Sequence, residues 1–97
     1  MDKKIAFLGT PNFAVPILKS IYQSNHKITC VFSQPPRKSN RGHKLNKSPI
    51  HLLSEELGIE IKTPENIEKE IDYIKSLNLD LAIVVAYGQI LSKDILS

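Results

Sequence analysis

Ile5-Ala6-Phe7-Leu8 runs straight into Gly9-Thr10-Pro11-Asn12, and no other stretch constrains the chain so tightly. Four apolar residues bounded by turn chemistry read as a short buried strand, with Thr10-Pro11 or Asn12 placed to cap the orphan amides of a helix. Gly9 lets the backbone turn sharply at the strand end. In open α/β sheets ligands bind beyond the carboxyl ends of the strands, so this turn is a candidate site. Taken alone, Gly9 and Pro11 are better explained as turn punctuation.

The rest of the chain repeats the alternation. A first helix is expected from Phe13 to Gln23, with Ala14, Ile17, Leu18 and Ile21 on one stripe. Ile28 to Phe32 is β-branched and apolar, a second strand. Ser48-Pro49 is an N-cap followed by proline at the first helical position, and Ile50, Leu53 and Leu57 supply that helix with a buried stripe ending at Gly58. His51 then faces solvent or the helix start. Ile59 to Ile61 alternates as a third strand, and a helix beginning near Thr63-Pro64 carries Ile67, Ile71, Ile74 and Leu77 at helical spacing. Leu81 to Ala86 is apolar on both faces, as a central parallel strand covered by helices would be. Ser92 to Ser97 reads as the start of a further helix.

Strands alternating with helices predict an α/β fold with a doubly wound parallel sheet. Right-handed crossovers give the order 3-2-1-4, with the switch point between the first and fourth strands. Gly9 to Phe13 and Tyr87 to Leu91 then line one crevice.

Gln34 to Lys47 is unlike its surroundings. It has no hydrophobic period, five Lys/Arg and no acid, and at fourteen residues it is long for a connection between strand and helix. The charge of the whole chain is +3, but residues 3 to 54 hold nine Lys/Arg without an acid, a local balance of +9. Residues 55 to 97 balance at −5. Such asymmetry suits a polyanion such as RNA, and is also what a solvated basic surface looks like.

Several chemistries are excluded. A dinucleotide site needs Gly-x-Gly-x-x-Gly and an acid at the end of the second strand, where this chain has one glycine and Ser33-Gln34. The P-loop and the Gly-x-Ser-x-Gly elbow are absent. Cys30 has no partner thiol and no zinc spacing, and reads as a small core residue. His26 reads as a turn residue. The carboxylates and histidines form no complete catalytic set. The apolar stretches are too short for a signal peptide or a membrane span, so a cytoplasmic protein is expected.

Leu8-Gly9-Thr10-Pro11-Asn12-Phe13-Ala14-Val15-Pro16, then Gln34-Pro35 with Arg41-Gly42-His43-Lys44-Leu45 and Ser48-Pro49, then Val84 to Leu91 closely resemble the amino-terminal part of the methionyl-tRNA formyltransferase family. Order and spacing fit over all 97 residues.

The resemblance implies a Rossmann-like formyltransferase domain, of which residues 1–97 are the amino-terminal part, incomplete after the fourth strand. It implies 10-formyltetrahydrofolate as donor, initiator methionyl-tRNA as acceptor in translation initiation, no metal, no membrane partner and a monomer at full length. Gln89, Ile90 and Leu91 would contact the pterin, mostly through backbone groups, with Val84, Tyr87 and Gly88 in the adjoining wall. Gly9, Thr10, Pro11 and Phe13 would lie on the methionyl side, and Arg37, Lys38, Arg41, Gly42 and Lys44 on the tRNA acceptor stem. Phe13 and Leu91 have plain core packing as the other explanation.

Two positions depart from the family pattern: Pro36 replaces an acid and Ser92 replaces a proline. The family's catalytic Asn, His and Asp would fall beyond Ser97, so no catalytic residue is assigned and the isolated chain is expected to be inactive. A sugar-nucleotide formyltransferase and a non-catalytic RNA- or nucleotide-binding module are the competing readings.

Overall fold

The computed structural model describes residues 3–38 and 44–93. Four parallel strands form the main sheet: β1 (Lys4–Gly9), β2 (Lys27–Phe32), β5 (Ile61–Lys62) and β6 (Leu81–Val85), in the order β5-β2-β1-β6. This is the expected 3-2-1-4 arrangement. Helices α1 (Val15–Tyr22) and α2 (Pro49–Leu57) cover one face and α3 (Ile71–Ser76) packs on the other.

The two faces follow from the alternation of side chains along β1. Phe7 points with Val31 into the cluster made by Ala14, Leu18, Ile50 and Leu53, all buried. Ala6 and Leu8 point the other way, with Cys30, Phe32, Ile67 and Tyr87. Cys30 is a core residue, and burial pushes its thiol up from the ordinary value. The lower edge of the sheet is pinned by polar groups. Lys4 N–H donates to Asp80 Oδ2 at 2.7 Å, and Lys3 N–H donates to His26 Nδ1 at 3.0 Å. His26 is thus the turn residue that the sequence suggests.

Three elements begin differently from expectation. The first helix opens as a 3-10 turn at Asn12–Ala14, with Pro16 in the first turn of α1. The third strand begins at Ile61 rather than Ile59, because Gly58 takes the left-handed conformation (φ 72°) and Ile59 N–H bonds back to Ser54 O at 2.9 Å. That closure keeps Ile59 in the end of α2. The third helix opens as a 3-10 turn at Ile67–Glu70, its amino end capped by Asn66, whose side chain accepts from Glu68 N–H.

The basic stretch is not structureless. Arg37–Lys38 (β3) and Leu45–Asn46 (β4) pair antiparallel, Arg37 opposite Asn46 and Lys38 opposite Leu45. Among the described residues β6 is an edge strand, with Leu81 and Val84 exposed rather than covered on both faces.

Candidate functional site

The carboxyl ends of β1, β2 and β6 meet at the hydroxyl of Thr10. It donates to Tyr87 O at 2.8 Å and accepts from Gln34 N–H at 3.3 Å, so one side chain ties three strand ends together. A second junction fixes α2 to the same edge: the Ser33 and Ser48 hydroxyls share a hydrogen bond, and Ser48 Oγ also caps α2 by accepting from His51 N–H at 3.0 Å. Between these junctions lies a cleft of about 400 Å³ whose walls include Thr10, Pro11, Gln34, Arg37, Tyr87 and Gly88. A larger cavity, about 500 Å³, sits on the α3 face and reaches toward the amino end of β6. Its walls are mostly apolar, including Leu8, Phe32 and Leu91, with Lys75, Asn78 and Asp80 also lining it.

The chain leaves β6 through strained backbone. Ala86 (φ 49°) and Gly88 (φ 101°) both have positive φ, which turns Tyr87 inward to full burial. The Tyr87 hydroxyl has no hydrogen-bond partner among the described residues, and burial pushes its pKa up to about 12. At Gly88 the positive φ strains any other residue, and a β-carbon there would stand 2.5 Å from Gln34 Nε2, the mobile end of a side chain that would have to shift. Gly9 is equally confined, since a β-carbon would meet Phe7 Cε1 at 2.8 Å and Val85 O at 3.0 Å.

Gln89 turns its side chain away from solvent. Its Oε1 accepts from Ile67 N–H at 2.8 Å, and its Nε2 donates to Pro64 O at 3.0 Å and to Gln34 Oε1 at 3.1 Å. One amide therefore joins the segment after β6 to the end of β2 and to the loop before α3. The main-chain groups of Gln89 and Ile90 are engaged by no hydrogen bond among the described residues, and the Ile90 side chain is 93% exposed.

The basic ribbon stands beside the cleft, with Arg37, Lys38 and Lys44 exposed. Lys47 is committed elsewhere, to both oxygens of Glu55 at 3.0 and 2.8 Å, and its ammonium holds that carboxyl below the usual range. His51, at the start of α2, is buried, and burial pushes its imidazole down from 6.5.

Thr10, Pro11, Arg37, Tyr87 and Gly88 therefore converge on the cleft, with Gly9 beneath it. Phe13 is exposed, not core. Val84 sits on the outer edge of β6, and Leu91 packs toward the α3 cavity rather than the cleft. Lys38 and Lys44 lie on the ribbon; Arg41 and Gly42 fall outside the described residues. Gln34 was not among the expected site residues, although its position where dinucleotide folds place an acid was a signal available in the sequence. No group of three or more His, Cys, Asp or Glu able to hold a metal occurs among the described residues, and no described helix is long and apolar enough to cross a membrane.

A doubly wound parallel sheet with a cleft at its carboxyl edge is the arrangement in which open α/β domains hold their ligands. The family model described as "Formyl transferase" matches residues 3–97, and the chain belongs to that family. It is similar to the methionyl-tRNA formyltransferase of Pelagibacter ubique (strain HTCC1062), 54% identical over 100 residues that cover 100% of this chain and 32% of that protein. The methionyl-tRNA formyltransferase of Caulobacter vibrioides (strain NA1000 / CB15N) is 50% identical over 95 residues, 96% of this chain and 31% of that protein. The chain thus spans about a third of the length of these relatives. The crystal structure of phosphoribosylglycinamide formyltransferase from Anaplasma phagocytophilum superposes with a TM-score of 0.63 at 16% identity, over 99% of this chain and 45% of that one. At that identity the likeness concerns the fold.

Proposed function

We propose that residues 1–97 are the amino-terminal part of a formyltransferase domain that moves a formyl group from 10-formyltetrahydrofolate to the amino group of methionyl initiator tRNA. The observation that carries this reading is the 54% identity with the Pelagibacter enzyme across the whole chain. The position of the basic ribbon supports it, because β3 and β4 stand at the mouth of the cleft where an RNA end would enter.

In this reading Val84, Tyr87, Gly88, Gln89, Ile90 and Leu91 form the donor wall. The segment suits a flat heteroaromatic ring, since Ile90 offers an uncovered apolar side chain and the main-chain groups of Gln89 and Ile90 are engaged by no hydrogen bond among the described residues. When bound, the folate supplies the formyl group. Gly9, Thr10, Pro11 and Phe13 form the methionyl side, and Arg37, Lys38, Arg41, Gly42 and Lys44 follow the phosphates of the acceptor stem. These residues bind and orient; the amine's attack on the formyl carbonyl needs proton-moving groups that none of them provides.

The test is binding of the purified chain to an acceptor-stem hairpin ending in CCA, across a salt titration. Affinity should fall steeply with salt, and the slope of log K against log salt should shrink by about 1 or less for each of Arg37→Ala, Lys38→Ala and Lys44→Ala. Binding indifferent to salt and to all three changes would sink the tRNA reading. Contact with the folate is read separately, from NMR shifts of residues 84–91 on adding 5-formyltetrahydrofolate, a stable probe. RNA binding with no folate response would favour a non-catalytic RNA-binding module.

A further inference from the structure

We propose that the side-chain amide of Gln34 is a binding group of the cleft, a fixed pair of N–H donors that receives a phosphate oxygen together with the guanidinium of Arg37. The proposal deepens the reading that an RNA end enters at the mouth of the cleft and rests on it.

The orientation of the Gln34 amide follows from a chain of groups that can act in only one way. Ile67 N–H can only donate, so the Gln89 atom facing it at 2.8 Å is the oxygen. The other end of that amide is then NH2, which agrees with its contact to Pro64 O at 3.0 Å, a carbonyl that can only accept. The second hydrogen goes to Gln34, so the Gln34 atom at 3.1 Å is Oε1. Main-chain groups at one end thus settle which way round the Gln34 amide stands at the other. Its Nε2 is left beside Gly88, where the missing side chain makes room, and no hydrogen bond among the described residues uses it.

Chemistry of the surroundings selects the ligand. A donor pair of fixed direction in a cleft needs an acceptor. Arg37 lines the same cleft and, among the described residues, no Asp or Glu does, so the acceptor that fits is anionic. Guanidinium and amide donors together suit phosphate oxygens. The same phosphate could belong to an RNA chain or to a free mononucleotide.

The experiment follows the Gln34 side-chain amide resonances by 1H-15N NMR while the chain is titrated with adenosine 5′-monophosphate, inorganic phosphate, adenosine or the acceptor-stem hairpin. Saturable shifts are expected with the monophosphate and the hairpin, shifts in the same direction at higher concentration with inorganic phosphate, and none with adenosine. Tighter response to the hairpin than to the monophosphate assigns the phosphate to RNA; the reverse assigns it to a mononucleotide.

Gln34→Glu keeps the acceptor for Gln89 while removing the donors, and should weaken monophosphate binding about tenfold or more. Gln89→Leu leaves the donors in place but unoriented and should weaken it by a smaller factor, which a purely structural amide would not produce in this graded order. Unchanged monophosphate binding by Gln34→Glu, or Gln34 resonances that stay still while other cleft residues shift, overturns the proposal and leaves the functional reading standing. An equal shift with adenosine overturns the phosphate assignment. Failure of every probe, the hairpin included, removes the functional reading and the proposal with it.

Discussion

Gly88 stands so close over Gln34 that a β-carbon on the glycine would come within 2.5 Å of the glutamine's Nε2. The pair joins two strand ends that are far apart in sequence, and the absence of one side chain makes the place of the other possible. Gln89 then fixes the glutamine from behind.

Gly88→Ala should therefore act twice. At φ 101° an alanine is strained, at a cost of about 1–3 kcal/mol, and its methyl group forces the Gln34 amide aside. Denaturant melts should show that loss, and the Gln34 amide resonances should move. Wild-type stability with unmoved resonances would contradict the close approach.

Gly9→Ala meets a harder obstacle, because one of its neighbours is the Val85 carbonyl on the paired strand and the other is the fully buried Phe7 ring. Neither can swing away. Overpacking of this kind costs about 1–3 kcal/mol, so a lowered midpoint without a changed denaturant slope is expected.

Tyr87→Phe should be neutral or stabilising by up to about 1 kcal/mol at neutral pH, since the buried hydroxyl it removes has no partner among the described residues. The alkaline limb is the sharper readout. A folded pKa of about 12 against an ordinary 10.0 means that the folded state holds its proton longer. The stability this supplies is complete below pH 10 and lost as pH rises through 12. The phenylalanine variant should show a flatter decline over that window.

His51 works on the acid side with the opposite sign. Its folded pKa lies below 6.5, so the unfolded chain binds the proton first. Stability from the neutral, buried ring is present above pH 6.5 and declines as pH falls through the folded value. The groups facing it are the Glu55 carboxylate, which opposes the shift, and the Lys47 ammonium, which adds to it. Urea melts between pH 7.5 and 5 should show the decline, and His51→Gln should reduce it.

Strand order and the crevice were legible because each depends on local signals: a short apolar run, a glycine or proline, a capping serine. The sheet edge was less so. Leu81 to Ala86 says that side chains are apolar, but only the assembled sheet shows that Leu81 and Val84 lie uncovered among the described residues. The ribbon escaped notice because two residues paired with two others, Arg37 with Asn46 and Lys38 with Leu45, leave no hydrophobic period to read. Gln34 and Gln89 are 55 positions apart, and nothing near either residue announces that they meet.

The oxygen of Thr10 has a mechanical consequence. It is held at once by the ends of β2 and β6, so whatever draws the Gln34 backbone outward also pulls, through that one atom, on the carbonyl of Tyr87. The two banks of the cleft share a hinge pin.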